Sequence, residues 1–412
     1  MTTRIDSFHA PHPWFGVADN QLVIGGQKLL DIAARAGRSP FYVYDRGVMT
    51  QKTEQLRAAL PKEVALHYAM KANPMPDVVR HMASIVDGVD VASVREMEIA
   101  LDAGALAHTV SFAGPGKTER ELQRAAAAGI VIHVESEREI RVLADHAHAT
   151  GCVSRIAIRV NPDFELKTAG MKMSGGPKQF GIDAERVPQV LRDLAATPLQ
   201  FIGFHIFSGS QNLRAEAIIE AQRKTLELTL KLAPHAPGPI THLNIGGGLG
   251  IPYFPGESML DLNLLRPHWQ SLAEEAKTLL PDARLVMELG RYLVGEAGVY
   301  VCRIIDRKIS RGQVFLVTDG GLHHHLAASG NFGQVIRRNY PVVIANRMNS
   351  TQREVASVVG PLCTPLDLLA DKMELAQAEE GDWVAVLQSG AYGLSASPQQ
   401  FLGHPAALEI AI

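Results

Sequence analysis

From residue 64 to about residue 290 the chain repeats one pattern eight times: a short apolar run rich in β-branched residues, then an amphipathic stretch with helical spacing. The runs are VALHYAM, GVDVAS, HTVSFAG, IVIHVE, RIAIRV, FIGFHIF, THLNIG and RLVMEL. Between them lie segments such as VREMEIALDAG, KTERELQRAAAAG, SEREIRVLADHAHATG and AERVPQVLRDLAAT, several of which open on a Ser or Thr cap or close on Gly. Strands alternating with helices make parallel βα units. Eight in succession predict an α/β chain with a closed (β/α)8 TIM barrel in place of an open sheet.

Residues 294–412 have a different texture. Short strand-like runs (VYVCRII, VFLVTD, PVVIAN, VASVVG, WVAVLQ) follow one another across turns, with one short helix predicted in LDLLADKMELAQ. This reads as a second, mainly antiparallel β domain. The strand-like FYVYD at 41–45 precedes the barrel and is expected to link it to an N-terminal part of that domain. The expected division is therefore 46–290 for the barrel and 1–45 plus 291–412 for the β domain, which suits a length of 412 residues.

A formal net charge of -3 gives no electrostatic footprint for nucleic acid or an anionic membrane, which leaves a small molecule as the expected partner. The N-terminus lacks the basic start and apolar core of a signal peptide, and no window approaches a membrane span, so a cytoplasmic protein is expected. Three widely spaced cysteines, Cys152, Cys302 and Cys363, are read as free thiols.

In such barrels the chemistry sits at the C-terminal strand ends. Every one of the eight ends here is polar. In order they carry Lys71, Asp90 with Ser93, GPGK (114–117), Glu135, Arg159 with Asn161, His205 followed by SGSQ (208–211), GGGLG (246–250) and ELGR (288–291).

These stations have chemical uses. A lysine at the end of an apolar strand, in HYAMKANP (67–74), is placed to lose its proton and act as a nucleophile, commonly in a Schiff base. The glycine run lets backbone N–H groups approach an anion, and after the seventh strand it stands where barrel phosphate sites form. Arg291 offers a charged fork to the same anion. Glu288, inside LVMEL, is either a partner for a cofactor ring nitrogen or one half of a structural ion pair with Arg159 or Arg291. His205 and Phe207 lie two apart on one strand face, and either ring is placed to stack on a planar group.

Jointly and in this order, YAMKAN (68–73), DVAS (90–93), GPGK, FGID (180–183), GSQ (209–211), GGGLG, ELGR, GPLC (360–363) and GAYG (390–393) resemble the fold-type III pyridoxal-phosphate decarboxylases, which include diaminopimelate and ornithine decarboxylases. Alanine racemase is a more distant relative with the same type of fold. The resemblance covers nearly the whole chain. It implies pyridoxal 5'-phosphate as cofactor, with Lys71 as the Schiff-base lysine, Glu288 at the pyridine nitrogen, and Ser210, Gly246, Gly247, Gly248, Arg291 and Tyr392 around the phosphate. Asp90, Arg159 and His205 would line the rest of the cofactor site. It further implies a homodimer in which Cys363 reaches the partner subunit's site and, with His205, serves catalysis.

The sequence departs from that family at the substrate end. Where the cysteine is followed by an acid that reads the substrate's distal amine, this chain has CTPLD, with Thr364 and Pro365 next to Cys363 and Asp367 further on. Phe207 stands at the position of the family's ring-stacking histidine, and His205 matches an earlier histidine of the motif. The stretch 318–342 is longer than its diaminopimelate decarboxylase counterpart and resembles a subgroup linked to exosortase gene clusters and to decarboxylases of glutamyl groups on acyl carrier proteins. In that setting Arg337 and Tyr340, with Thr364, are expected to meet the substrate. His323, His324 and His325 are read as strand residues facing alternate sides, so no metal is expected.

The expected reaction is decarboxylation of an amino acid, diaminopimelate or a similar one, or of its carrier-bound form. An amino-acid racemase and a non-catalytic pyridoxal-phosphate carrier are the competing readings; the Cys363 motif and the long β domain stand against both.

Overall fold

The computed structural model describes residues 12–164, 171–172 and 176–412. The chain forms two compact units: Lys52–Gly250 with Leu260–Gly290, and residues up to Gln51 with Ile251–Met259 and Arg291–Ile412. Residues 251–259, directly after the glycine run, belong to the second unit, which the boundaries read from the sequence place inside the barrel.

The first unit is a barrel of eight parallel strands: β1 (Ala65–Ala69), β2 (Gly88–Val91), β3 (Val110–Phe112), β4 (Val131–Val134), β5 (Arg155–Asn161), β6 (Gln200–His205), β7 (His242–Gly247) and β8 (Arg284–Leu289). Each pairs in parallel with the next, and β8 returns to β1 with Glu288 opposite His67. Helices α1 (Pro76–Ala83), α2 (Val94–Asp102), α3 (Glu119–Ala128), α4 (Glu137–Thr150), α5 (Val187–Leu194), α6 (Ala215–Leu232) and α7 (Leu262–Leu279) follow the strands.

Local chemistry sets where these helices start and so where the strand ends stop. Ser93 accepts from Glu96 N at the start of α2, Thr118 and Glu121 form a reciprocal capping box on α3, and Ser136 accepts from Glu139 N on α4. Ser93, read as a site residue, is thus a helix cap. Gly129 and Gly151 end α3 and α4 in the left-handed conformation, which glycine enters without steric cost.

The second unit carries a three-stranded antiparallel sheet (residues 16–28) and an eight-stranded one. In the larger sheet Gly298–Ser310 pairs antiparallel with Phe41–Tyr44, Gln313–Thr318 and Trp383–Val386. Two pairings are parallel, Gln313–Thr318 with Arg353–Val359 and Phe41–Tyr44 with Leu408–Ala411, so the sheet is mixed though mainly antiparallel. Its core joins Leu22, Ile24, Phe41, Val43, Val299, Val301, Ala385 and Leu387.

The helix expected in LDLLADKMELAQ does not form; Leu368–Ala376 is a strand paired antiparallel with Arg353–Val359. Its Leu, Ala, Lys and Glu favour helix, but cross-strand pairing and burial of Leu369, Met373 and Leu375 override that preference. Among the described residues no helix is long and apolar enough to cross a membrane.

Candidate active site

Strand β1 ends at Ala69, and Met70–Ala72 make a single tight turn that lifts Lys71 out of the apolar run to an exposed position. The turn is pinned from both sides. The Tyr68 hydroxyl donates to Asn73 O at 2.8 Å, and the Asn73 side chain accepts from Met75 N at 3.1 Å. Lys71 Nζ lies 5.7 Å from the centre of the Phe207 ring.

Glu288, on β8, is buried and sits in a polar nest. Asn244 Nδ2, on β7, donates to its Oε2 at 3.0 Å, and His205 Nε2, on β6, lies 3.4 Å from the same oxygen. Burial pushes the carboxyl up, but His205, Lys71 and Arg159 together outweigh it and hold Glu288 well below the usual carboxylate range. It is therefore ionised at neutral pH. Neither of the ion pairs considered for it from sequence, with Arg159 or with Arg291, is formed directly; its neighbours are Asn244 and His205.

The glycine run requires its glycines. Gly246 and Gly248 have φ of +68° and +75°, and a Cβ on Gly247 or Gly248 would lie 2.0 Å from Glu288 O or 2.4 Å from Gly209 O. The backbone of β8 and of the segment that follows β6 therefore closes on this loop. Asn244 Oδ1 accepts from Gly246 N at 2.8 Å, so the residue that holds Glu288 also holds the loop. Ser210 is half-buried beside it, and its neighbour Gly209 carries the oxygen that excludes a side chain at Gly248.

Arg159 is buried and paired with Glu135 at 2.9 Å, and its guanidinium lies 4.9 Å over the Phe180 ring. Glu135 also accepts from Gly114 N at 2.6 Å and from Gly181 N at 3.1 Å, drawing three strand-end loops together. Asp90 faces His67 Nδ1 at 3.1 Å and accepts from the Ser111 hydroxyl. Lys117 is committed to a buried pair with Glu139 at 3.0 Å and to Gly114 O at 2.6 Å, so its amine is not offered at the barrel mouth.

In the second unit, Arg291 Nη1 donates to the Tyr253 hydroxyl at 2.9 Å, and its guanidinium lies 4.6 Å from the centre of the Tyr392 ring. Tyr340 is buried, with its ring 4.6 Å from that of Tyr253. Arg291, Tyr392 and Tyr340 thus form one cluster. Arg337 stands apart from it as a brace of its own loop: Nε, Nη1 and Nη2 donate to Ser329 O, Asn339 Oδ1 and Leu368 O at 3.1, 2.8 and 3.3 Å.

Cys363 is exposed and Thr364 half-buried. Asp367 is buried, accepting from Leu362 N at 2.8 Å and Leu322 N at 2.6 Å. Gly321 and Gly360 leave room for it, since a Cβ on either would meet its carboxylate at 2.2 and 2.3 Å. His323 and His324 lie in a turn and His325 directly after it, where a strand was expected, and all three are fully buried. The His324 and His325 rings are tied to Pro405 O and Ser389 Oγ, each at 2.8 Å.

Sequence reasoning missed Asn244 and Tyr253. Asn244 had a signal, being a polar residue inside the apolar strand THLNIG; Tyr253, in IPYF, had none beyond its nearness to the glycine run.

Residues 46–295 match the family described as pyridoxal-dependent decarboxylase, pyridoxal binding domain. The chain is 38% identical to the L-glutamyl-(BtrI acyl-carrier protein) decarboxylase of Niallia circulans over 90% of this chain and 88% of that one. It is 32% identical to a diaminopimelate decarboxylase of Aquifex aeolicus, covering 97% and 93% of the two. The crystal structure of Helicobacter pylori diaminopimelate decarboxylase complexed with L-lysine superposes with a TM-score of 0.81 at 25% identity, over 93% of this chain and 94% of that one. A barrel with an exposed lysine, a buried ionised carboxylate and a glycine loop, matched over these lengths, makes this chain a member of the pyridoxal-dependent decarboxylases, carboxy-lyases whose cofactor is pyridoxal 5'-phosphate.

Proposed function

We propose that this enzyme removes the α-carboxylate from an aminoacyl substrate whose distal end presents no free amine, a glutamyl-type group tethered to a carrier protein. The observation that carries this reading is the state of Asp367. It is the sole acid in the segment 360–368, and both of its carboxylate oxygens are used on backbone N–H groups of the protein. Buried at 3% exposure and turned to the backbone of two loops, this carboxylate is committed to the protein's own fold and is not presented to a distal ammonium. The similarity to a carrier-protein glutamyl decarboxylase supports the same substrate class.

The residues of the barrel fit the cofactor. Pyridoxal phosphate withdraws electrons from Cα, and this needs a protonated ring nitrogen, which an ionised carboxylate stabilises; Glu288 is buried and ionised. Lys71 is the exposed amine assigned to hold the cofactor covalently. The loop Gly246–Gly248 with Ser210 is assigned to the phosphate, together with Arg291 and Tyr392. Phe207 is assigned to the face of the ring, supported by its closeness to Lys71 and by the packing of Gly246 against it, while His205 is turned to Glu288. Asp90 and Arg159 buttress the barrel side of this site.

In this reading Cys363 works in the partner subunit of a homodimer and holds the proton delivered to Cα; its exposure supports that assignment. Residues 46–290 then act as the cofactor domain, and residues 291–412 with 1–45 as the domain that brings Cys363 and Thr364 to the substrate. Tyr340 contributes from the Arg291 cluster. Arg337 contributes by holding the loop that carries Tyr340.

The test is CO2 release from the cofactor-loaded protein, offered meso-diaminopimelate, lysine, ornithine and glutamate free, and glutamate loaded on a carrier protein. Turnover confined to the carrier-bound form is expected. Efficient turnover of free diaminopimelate would overturn the substrate assignment and leave a diaminopimelate decarboxylase.

A further inference from the structure

A TIM-barrel interior is ordinarily filled by layers of Val, Ile and Leu. This one holds a small aliphatic cluster, Val131, Ala157 and Ile202. Beside it lies a group of imidazoles. His133 packs against His205 with ring centres 4.6 Å apart and against His242 at 5.5 Å. His67, on β1, lies across from Gly88, where any Cβ would collide with the ring at 2.5 Å, so that glycine makes space for an imidazole.

Most of these ring nitrogens lack protein partners. Among the described residues, neither nitrogen of His133 nor of His205 has a hydrogen bond, nor do Nε2 of His242 and Oδ2 of Asp90, although His205 Nε2 faces Glu288 at 3.4 Å. His133 and His205 are each only 1% exposed. Buried polar atoms without partners are costly, and a cluster of them in one interior is where ordered water is found. The His133 and His205 rings are tilted by 46° and share no direct hydrogen bond, which leaves their outer nitrogens to a bridging water.

We propose that His133 is a positioning residue: through ordered water along the barrel axis it fixes the His205 ring with Nε2 turned to Glu288, and so holds in place the carboxylate assigned to the cofactor's ring nitrogen. With Nε2 turned to Glu288, Nδ1 of His205 is left to a water, and that water is held by His133. His242, at the start of β7 and half-exposed, continues the column toward the floor of the barrel. Burial and the neighbouring His205, His242, Lys117 and Arg159 keep His133 itself uncharged, so it can both accept from and donate to water.

The proposal rests on the assignment of Glu288 to the ring nitrogen, and its test separates the two. The charged and titratable groups that bear on Glu288 are His205, Lys71 and Arg159. His67 and Asp90 lie on the neighbouring strands, and His133 and His242 lie below. The visible band of the cofactor-loaded protein is recorded from about pH 6 to 9 in the wild type, His133→Leu, His133→Gln and Glu288→Gln. The wild-type band is expected to hold constant, His133→Leu to lose it as pH rises, and His133→Gln, which can still bridge to water, to restore constancy. A His133→Leu band as constant as wild type, with Glu288→Gln altered, overturns the column alone. An unaltered Glu288→Gln band overturns the Glu288 assignment and the column with it. Should His133→Leu not fold, a high-resolution crystal structure of the wild-type holoenzyme decides: water between His133 and His205 supports the proposal, and a dry interior overturns it.

Discussion

One side chain, Asn244, joins Glu288 to the glycine loop: its Nδ2 donates to the carboxylate at 3.0 Å while its Oδ1 accepts from Gly246 N at 2.8 Å. The two ends of the cofactor, ring nitrogen and phosphate, are thereby assigned to groups that share a single amide. Asn244→Leu removes both bonds and leaves a buried charge short of a donor. A hydrogen bond to a charged group contributes about 1.5–3 kcal/mol, so cofactor affinity should fall about tenfold to a hundredfold. Equilibrium titration of the apoprotein with pyridoxal phosphate measures this; an unchanged dissociation constant would show that Asn244 holds neither end.

Acid stability follows from the histidines. Burial holds His133 well below its usual value of 6.5, and brings His325 to about 3 and His268 to about 4. Their native pKa values are depressed, so the stability they confer is complete above about pH 6.5 and declines as pH falls toward the native values, because only the unfolded chain takes up the protons. Each adds about 1.4 kcal/mol of loss per pH unit within its window. Denaturant unfolding from pH 7.5 to 4.5 should show a steep decline that starts near pH 6.5. A flat profile down to pH 5 would mean that these rings are charged or exposed in the native state.

Asp367 pins two loops by Leu322 N and Leu362 N, and burial pushes its own carboxyl up, against the pull of those two bonds. Asp367→Ala leaves two buried donors without partners and should cost about 2–5 kcal/mol. Thermal unfolding reports the loss, and faster alkylation of Cys363 by a maleimide reports the loosened loop. Equal stability and equal alkylation rate would remove Asp367 from any structural role and reopen it as a reader of substrate.

The barrel was legible because its evidence is local and repeated: eight β-rich runs, caps such as Ser93, Thr118 and Ser136, and polar residues at all eight strand ends. Three things were less so. LDLLADKMELAQ has helix-favouring composition, and only its pairing with Arg353–Val359, set by tertiary contacts, makes it a strand. Residues 251–259 leave the barrel unit with no compositional mark at either end. Arg337 looked like a substrate ligand because an arginine in a long insert invites that reading; that its donors are turned back on Ser329, Asn339 and Leu368 depends on the loop's conformation, which no short motif encodes.

The central claim is that Lys71 is the residue that carries the cofactor. Borohydride reduction of the cofactor-loaded protein, followed by peptide mapping, should place the pyridoxyl label on Lys71, and Lys71→Ala should abolish both the label and the visible absorbance. A label on another lysine, such as Lys117, would contradict the account, because it would require breaking the buried Lys117–Glu139 pair and would move the chemistry away from Phe207 and Glu288.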